Sequence, residues 1–225
     1  MMNTKYAIFV LLISTASVLA AVDTDRDLNS DIVSAQTKLG SFINEAIKFR
    51  TTYQLILEAD VRLEVHNNFE QIYSLMQQLQ VDQATIDNIK ASANQDVAVF
   101  ALETSNLDDA NLLLINDAYL INVDLRTADL GSANETFYQW NNDIDLFNRR
   151  YTIYLVSLQI IGNSIELQVV SAITGLDGPE VTAIYSLLQK TNDRINADAE
   201  LMQRELVLYN NYITEAILAV YSLLH

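Results

Sequence analysis

Few residues in this chain are equipped for chemistry, and their spacing excludes more than it proposes. There is no cysteine, and the two histidines are His66 and His225. A cysteine nucleophile is therefore absent. A Ser–His–acid set would depend on His66, because His225 sits at the chain end, where helices fray. His66 lies in the polar run Glu64-Val-His-Asn-Asn-Phe-Glu70, which reads as a solvated helix face, and no serine stands in a G-x-S-x-G turn.

Metal chemistry fares no better. A di-iron carboxylate centre in a helical bundle draws on Glu-x-x-His from two helices, and the chain has no such tetrad. Tetrahedral zinc lacks ligands. Asp23-Thr-Asp25-Arg-Asp27 begins like a calcium loop, but Leu28 stands where the sixth-position glycine belongs and Ser34 where the twelfth-position glutamate belongs. We read that cluster as an acidic lead-in that caps the first helix and favours the positive end of its dipole. Asp143 and Asp145 flank Ile144 and read as solvent-facing. Five scattered glycines cannot build a phosphate-cradling loop. The expectation is a non-enzymatic chain with no cofactor and no metal.

Asn134-Glu135-Thr136 is the single N-x-[ST] sequon, which in a eukaryotic host marks Asn134 as a glycan acceptor at the turn that starts the third long helix.

The elements that would carry these residues are set by three features: a leader, a charge and a scarcity of breakers. Lys5 followed by the apolar run Ala7–Val18, with small residues at Val18 and Ala20, has the order of a cleaved secretory signal over residues 1–20. Removal leaves 205 residues (21–225) as a single helical-bundle domain destined for the extracellular space. The formal charge is −16, or −17 without Lys5. Such a surface repels phosphate backbones and anionic headgroups, so nucleic acid is excluded as a partner. An exported chain without cysteine must be held by packing alone.

Pro179 is the only proline, and no glycine or proline occurs from Ser41 to Leu130. Strand proteins need frequent turn chemistry, so long helices are predicted. Gly175-Leu-Asp-Gly-Pro179 has the order of a helix stop followed by a helix start. Leu130-Gly131-Ser132 is the other punctuation point, with Ser132 and Glu135 spaced as a capping box.

Between these points, Phe137, Trp140, Ile144, Phe147, Tyr151, Tyr154, Leu158, Ile161 and Ile165 alternate spacings of three and four, a coiled-coil stripe that continues less well through Gln168 and Ala172. Its aromatic part, Phe137, Trp140, Phe147, Tyr151 and Tyr154, is either bundle core or the lining of a hydrophobic-ligand slot. A second stripe runs from Val181 to Leu224, with Asn192, Asp193, Arg194, Asn196, Asp198 and Glu200 on its polar face.

In the first half, Tyr53, Leu57, Val61, Val65 and Phe69 step by four, a local stutter. A break is expected near Ser105-Asn-Leu-Asp108. Alternation at Leu55–Val65 and Ile121–Leu125 imitates strands, but neither run is bounded by turn residues.

These readings predict an all-α fold: an elongated antiparallel bundle of about four long helices over roughly 27–79, 82–130, 133–174 and 179–223. Leu155, Val156, Ile160, Leu167 and Val170 fall off the 133–174 stripe and leave apolar surface to be covered by other helices, a second copy or lipid. Gln159, Asn163, Glu166 and Gln168 argue against an integral membrane segment there. The functional expectation is extracellular binding or scaffolding, with a protein partner or self-association. A carrier of hydrophobic ligand or lipid is the alternative, and a helical pore-former ranks lower.

Overall fold

The computed structural model describes residues 27–225, so the expected leader and Asp23 and Asp25 lie outside the described residues. Asp27 opens the first helix by accepting the Asn29 and Ser30 amides at 3.1 and 3.4 Å, which satisfies two of the orphan donors of a helix start. From there α1 (Leu28–Leu55), a π-helical segment (Ile56–Val65) and α2 (His66–Gln78) form one unbroken rod.

The run of fours has its physical outcome in the π segment. In an α-helix, four steps of four residues turn a stripe by about 160°. Tyr53, Leu57, Val61, Val65 and Phe69 are nevertheless all buried. The wider π turn, with its i→i+5 hydrogen bonds, keeps them on one face. The alternation read at Leu55–Val65 forms no strand, and Leu55 and Leu63 point outward.

Two of the turns use a left-handed residue that is not glycine. Gln80 has φ 60° and Ala128 has φ 58°. Around each, the chain closes a Schellman pattern: the Val81 amide donates to the Met76 carbonyl at 3.0 Å, and the Asp129 amide donates to the Asp124 carbonyl at 2.9 Å.

Asp82 then caps α3 (Gln83–Arg126), and Asp129 caps α4 (Leu130–Ile173) by accepting the Ser132 amide. The predicted cap at Ser132 is thus corrected to Asp129, and Gly131 lies inside α4 rather than ending a helix. Asp129 wins because its carboxylate is spaced to reach the N3 amide, and the same carboxylate holds the Ser132 hydroxyl at 3.0 Å. Pro179 opens α5 (Pro179–Leu224) as expected, after Gly175 and Gly178 turn the chain at φ 85° and 119°.

The break expected at Ser105–Asp108 does not occur; α3 is continuous. The polar side chains there are engaged instead. Thr104 donates to the Phe100 carbonyl at 2.8 Å, and Asp108 receives Arg50 and Tyr53 from α1.

The architecture is an all-α antiparallel bundle. The first rod packs on α3 and α5, and α4 packs on the same two helices from the opposite corner, with the α3–α4 interface the most extensive. The short connections dictate this up-down order. Helices α3, α4 and α5 have 44, 44 and 46 residues, so each runs about 66–69 Å. Among the described residues there is no strand.

Candidate functional site

Three places hold the chemistry the molecule possesses: the aromatic interior, the buried acids and the outer side of α4.

Phe137, Trp140, Phe147, Tyr151 and Tyr154 all lie in the interior. Their rings meet rings from the other helices. Trp140 is edge-on to Phe42 at 5.4 Å, Phe147 stacks on Tyr209 at 4.7 Å, and Tyr154 sits 5.0 Å from Phe100 and 6.3 Å from Tyr53. Edge and offset contacts at these separations are the favoured aromatic geometries. In this arrangement the five residues fill the bundle. A shallow groove of about 400 Å³ lies elsewhere, between Thr85, Asn88, Ile89, Leu167, Gln168 and Ser171.

The interior is not uniformly satisfied. Asn111 bridges three helices: it donates to the Ala46 carbonyl and accepts from the Tyr209 hydroxyl, each at 3.0 Å. The Trp140 Nε1, Tyr151 Oη and Tyr154 Oη atoms are buried with no hydrogen-bond partner. Burial pushes the Tyr151 and Tyr154 phenols upward, so both stay protonated donors.

The acids divide into two kinds. Asp108 takes a two-pronged bond from Arg50, at 2.6 and 2.9 Å, and a 2.6 Å bond from Tyr53. The Arg50 guanidinium holds its carboxyl below the usual range. Among the described residues no cation pairs with Asp117 on α3 or Asp143 on α4. Both are buried, and Gln139 donates to both Asp143 oxygens at 3.2 Å. Burial, then the facing Asp143 carboxyl, raises Asp117 well above its ordinary value.

Asp198 on α5 is also buried, although Arg194 lies 3.4 Å away. Burial and the Asp60 carboxylate outweigh Arg194 and push Asp198 up to about 7. Arg194 is shared with Asp60 and Glu64 of the π segment, and Lys190 bonds Glu64 at 3.3 Å. The solvent-facing positions read for Asp143 and Asp198 are therefore corrected. Each turns inward toward a carboxyl on another segment, Asp143 toward Asp117 of α3 and Asp198 toward Asp60 of the π segment. Among the described residues, no cluster of three or more acids and histidines could hold a metal ion. His66 is exposed on α2.

The outer side of α4 is a second stripe that sequence reading left as scattered excess. Ile153, Val156, Ile160 and Leu167 are 43, 47, 44 and 74 % exposed, and with the exposed Asn163 they keep a 3-4-3-4 spacing. Among the described residues, α4 is the one helix long and apolar enough, by length and composition, to cross a membrane, with a mean hydropathy of 1.4 over its best 18 residues. Inside, the core line continues through Val169 and Ile173 rather than Gln168 and Ala172. Gln168 instead donates to Ser92 at 2.9 Å.

Asn134 lies inside α4, half-buried and with its carbonyl oxygen closed off, rather than at a turn before the helix.

Comparison of the chain with protein-family models, with curated proteins and with solved structures returns no match.

Proposed function

We propose that this chain is an extracellular, non-enzymatic binding or scaffolding protein, a helical rod that acts through its outer faces. The carrying observation is the contrast across α4: aromatic rings pack against one another inside, while aliphatic side chains at coiled-coil spacing stand exposed outside. A monomer that needed only its own core would have no use for the second stripe. The leader at 1–20 supplies the route of export, and the acidity keeps the rod dispersed.

The carrier reading retains one specific support. Trp140, Tyr151 and Tyr154 present three buried donors without acceptors, which an amphiphilic ligand with an oxygen head would satisfy if α4 swung away.

Native mass spectrometry of residues 21–225, secreted from eukaryotic cells, separates the two. Outer-face binding predicts no lipid-sized adduct. An adduct released on denaturation, and lost in Trp140→Phe or Tyr154→Phe, would establish the carrier in its place.

A further inference from the structure

We propose that the outer stripe of α4 is a self-association seam, occupied by the same face of a second copy of this chain. This deepens the outer-face reading and rests on it.

The stripe has the register of a coiled-coil seam. Ile153, Ile160 and Leu167 form one line at seven-residue intervals, and Val156, Asn163 and Val170 form the line interleaved with it. Four of these six are large apolar side chains about half or more exposed. Scattered exposed leucines are ordinary on a protein surface, but an unbroken heptad row is not. Helical seams of this kind are covered by another helix. Within this molecule α4 already has its two neighbours, α3 and α5, on its other sides.

Charge decides what the covering helix belongs to. The chain carries 29 acidic and 13 basic residues, so two copies repel each other over most of their surfaces. Ile153–Val170 holds a single charged residue, Glu166, and that carboxylate is occupied by the Asn192 amide at 2.6 Å. The partly exposed positions flanking the seam are Gln159, Ser164 and Glu166. This is a face on which a second acidic rod can approach with little like charge in its way, and its heptad register is what selects it for pairing. An isologous pairing places identical faces together, the commonest geometry for a homodimer.

Asn163 fits the same scheme. A lone asparagine in an apolar seam costs some stability and fixes register, because its amide needs a partner that only the correct alignment supplies. A bilayer offers no such partner, and Gln159, Asn163, Glu166 and Gln168 together make this segment a poor lipid-facing span. The seam is about 26 Å long and one helix wide. It buries less than the roughly 800 Å² per partner of a standard interface, so the dimer forms on the order of micromolar concentration.

The test is sedimentation of residues 21–225 across about 1–200 µM, for the wild type, for Ile160→Glu and Leu167→Glu in the seam, and for Val207→Glu, an exposed apolar position on α5. Circular dichroism melts accompany each. The wild type and Val207→Glu are expected to dimerise. Each seam variant should shift the midpoint at least tenfold with an unchanged melt, since these side chains are exposed in the monomer. A wild type that stays monomeric overturns the seam but leaves outer-face binding to another protein standing. A dimer that survives both seam substitutions also overturns it. Flotation of the wild type with phosphatidylcholine vesicles, abolished by Ile160→Glu, would assign the stripe to lipid and overturn both this inference and the outer-face protein-binding reading.

Discussion

The inner and outer faces of α4 carry apolar residues at the same spacing, and they differ in chemistry and in cover. Inside, the line is aromatic from Phe137 to Tyr154 and meets rings from α1, α3 and α5. Outside, Ile153, Val156, Ile160 and Leu167 stand about half or more exposed, with Leu167 edging the groove beside Thr85 and Ile89 of α3 and Val170 tucked against the core. Periodicity identifies a helix and a face; it does not say which face is the core. Large rings bury more area per side chain and mark the line that the rest of the molecule is built around. The outer line begins at Ile153, beside the last ring of the inner line, Tyr154, and runs alongside the aliphatic part of the core that starts at Leu158.

Substitution across the two faces should separate them most strongly. Trp140→Ala removes a fully buried ring from the aromatic layer and should cost about 3–5 kcal/mol. Leu167→Ser should change monomer stability by no more than about 0.5 kcal/mol, read by urea denaturation below the dimer midpoint. Equal costs would erase the distinction between the faces.

The buried acids offer a second contrast, since they belong to the inner side alone. Asp198, raised to about 7, binds a proton in the folded state between its ordinary value and 7. Its contribution to stability is full below about 4 and is lost as pH rises through about 7. Asp117 acts in the same direction. The bundle should therefore grow more stable as pH falls from 8 to 5. Asp117→Asn and Asp198→Asn should each flatten that slope and stabilise the fold at pH 8 by about 1–3 kcal/mol, seen in melting temperature against pH. A wild-type melt that falls on mild acidification would contradict the assignment.

Adjacent residues sharpen the comparison further. A Cβ at Gly162 would overlap the Asn192 side chain and come within 3.0 Å of Ile195, so Gly162→Val should cost about 1–3 kcal/mol in urea denaturation through overpacking of the α4–α5 contact. Asn163→Val, one residue on, should leave the monomer's stability unchanged while tightening association and loosening its register, measured by sedimentation. The smallest effect is expected remote from both faces. Ala128→Gly relieves a left-handed alanine at the α3–α4 turn and should gain about 0.5 kcal/mol after the added flexibility of the unfolded chain is counted.

Helix number, order and type were legible because Gly and Pro are scarce and the stripes long. The boundaries that shifted did so for local reasons. Ala128 and Gln80 turn the chain without the glycine that normally signals a left-handed cap, which drew the reading toward Gly131. The run of fours after Tyr53 was visible as a stutter, but its resolution as π turns depends on the packing of α3 and α5 against the rod. The burial of Asp143 and Asp198 was invisible because their partners, Asp117 and Asp60, are supplied by other helices. The outer seam was present as excess apolar residues. It became a seam only once α4 was placed between α3 and α5 and its remaining side was left uncovered.

The most direct measurement uses the chain's lack of cysteine. A spin label on Asn163→Cys sits within about 3 Å, along the axis, of the midpoint of Ile153–Val170, so parallel and antiparallel pairing both bring two labels together. Dipolar spectroscopy at high concentration should give an inter-copy distance below about 25 Å, given a helix separation of 8–10 Å plus two label arms. A label on Val207→Cys should give only longer distances. Absence of a short distance at the seam label, or an equally short one at residue 207, would contradict the claim that the outer face of α4 is a self-association seam.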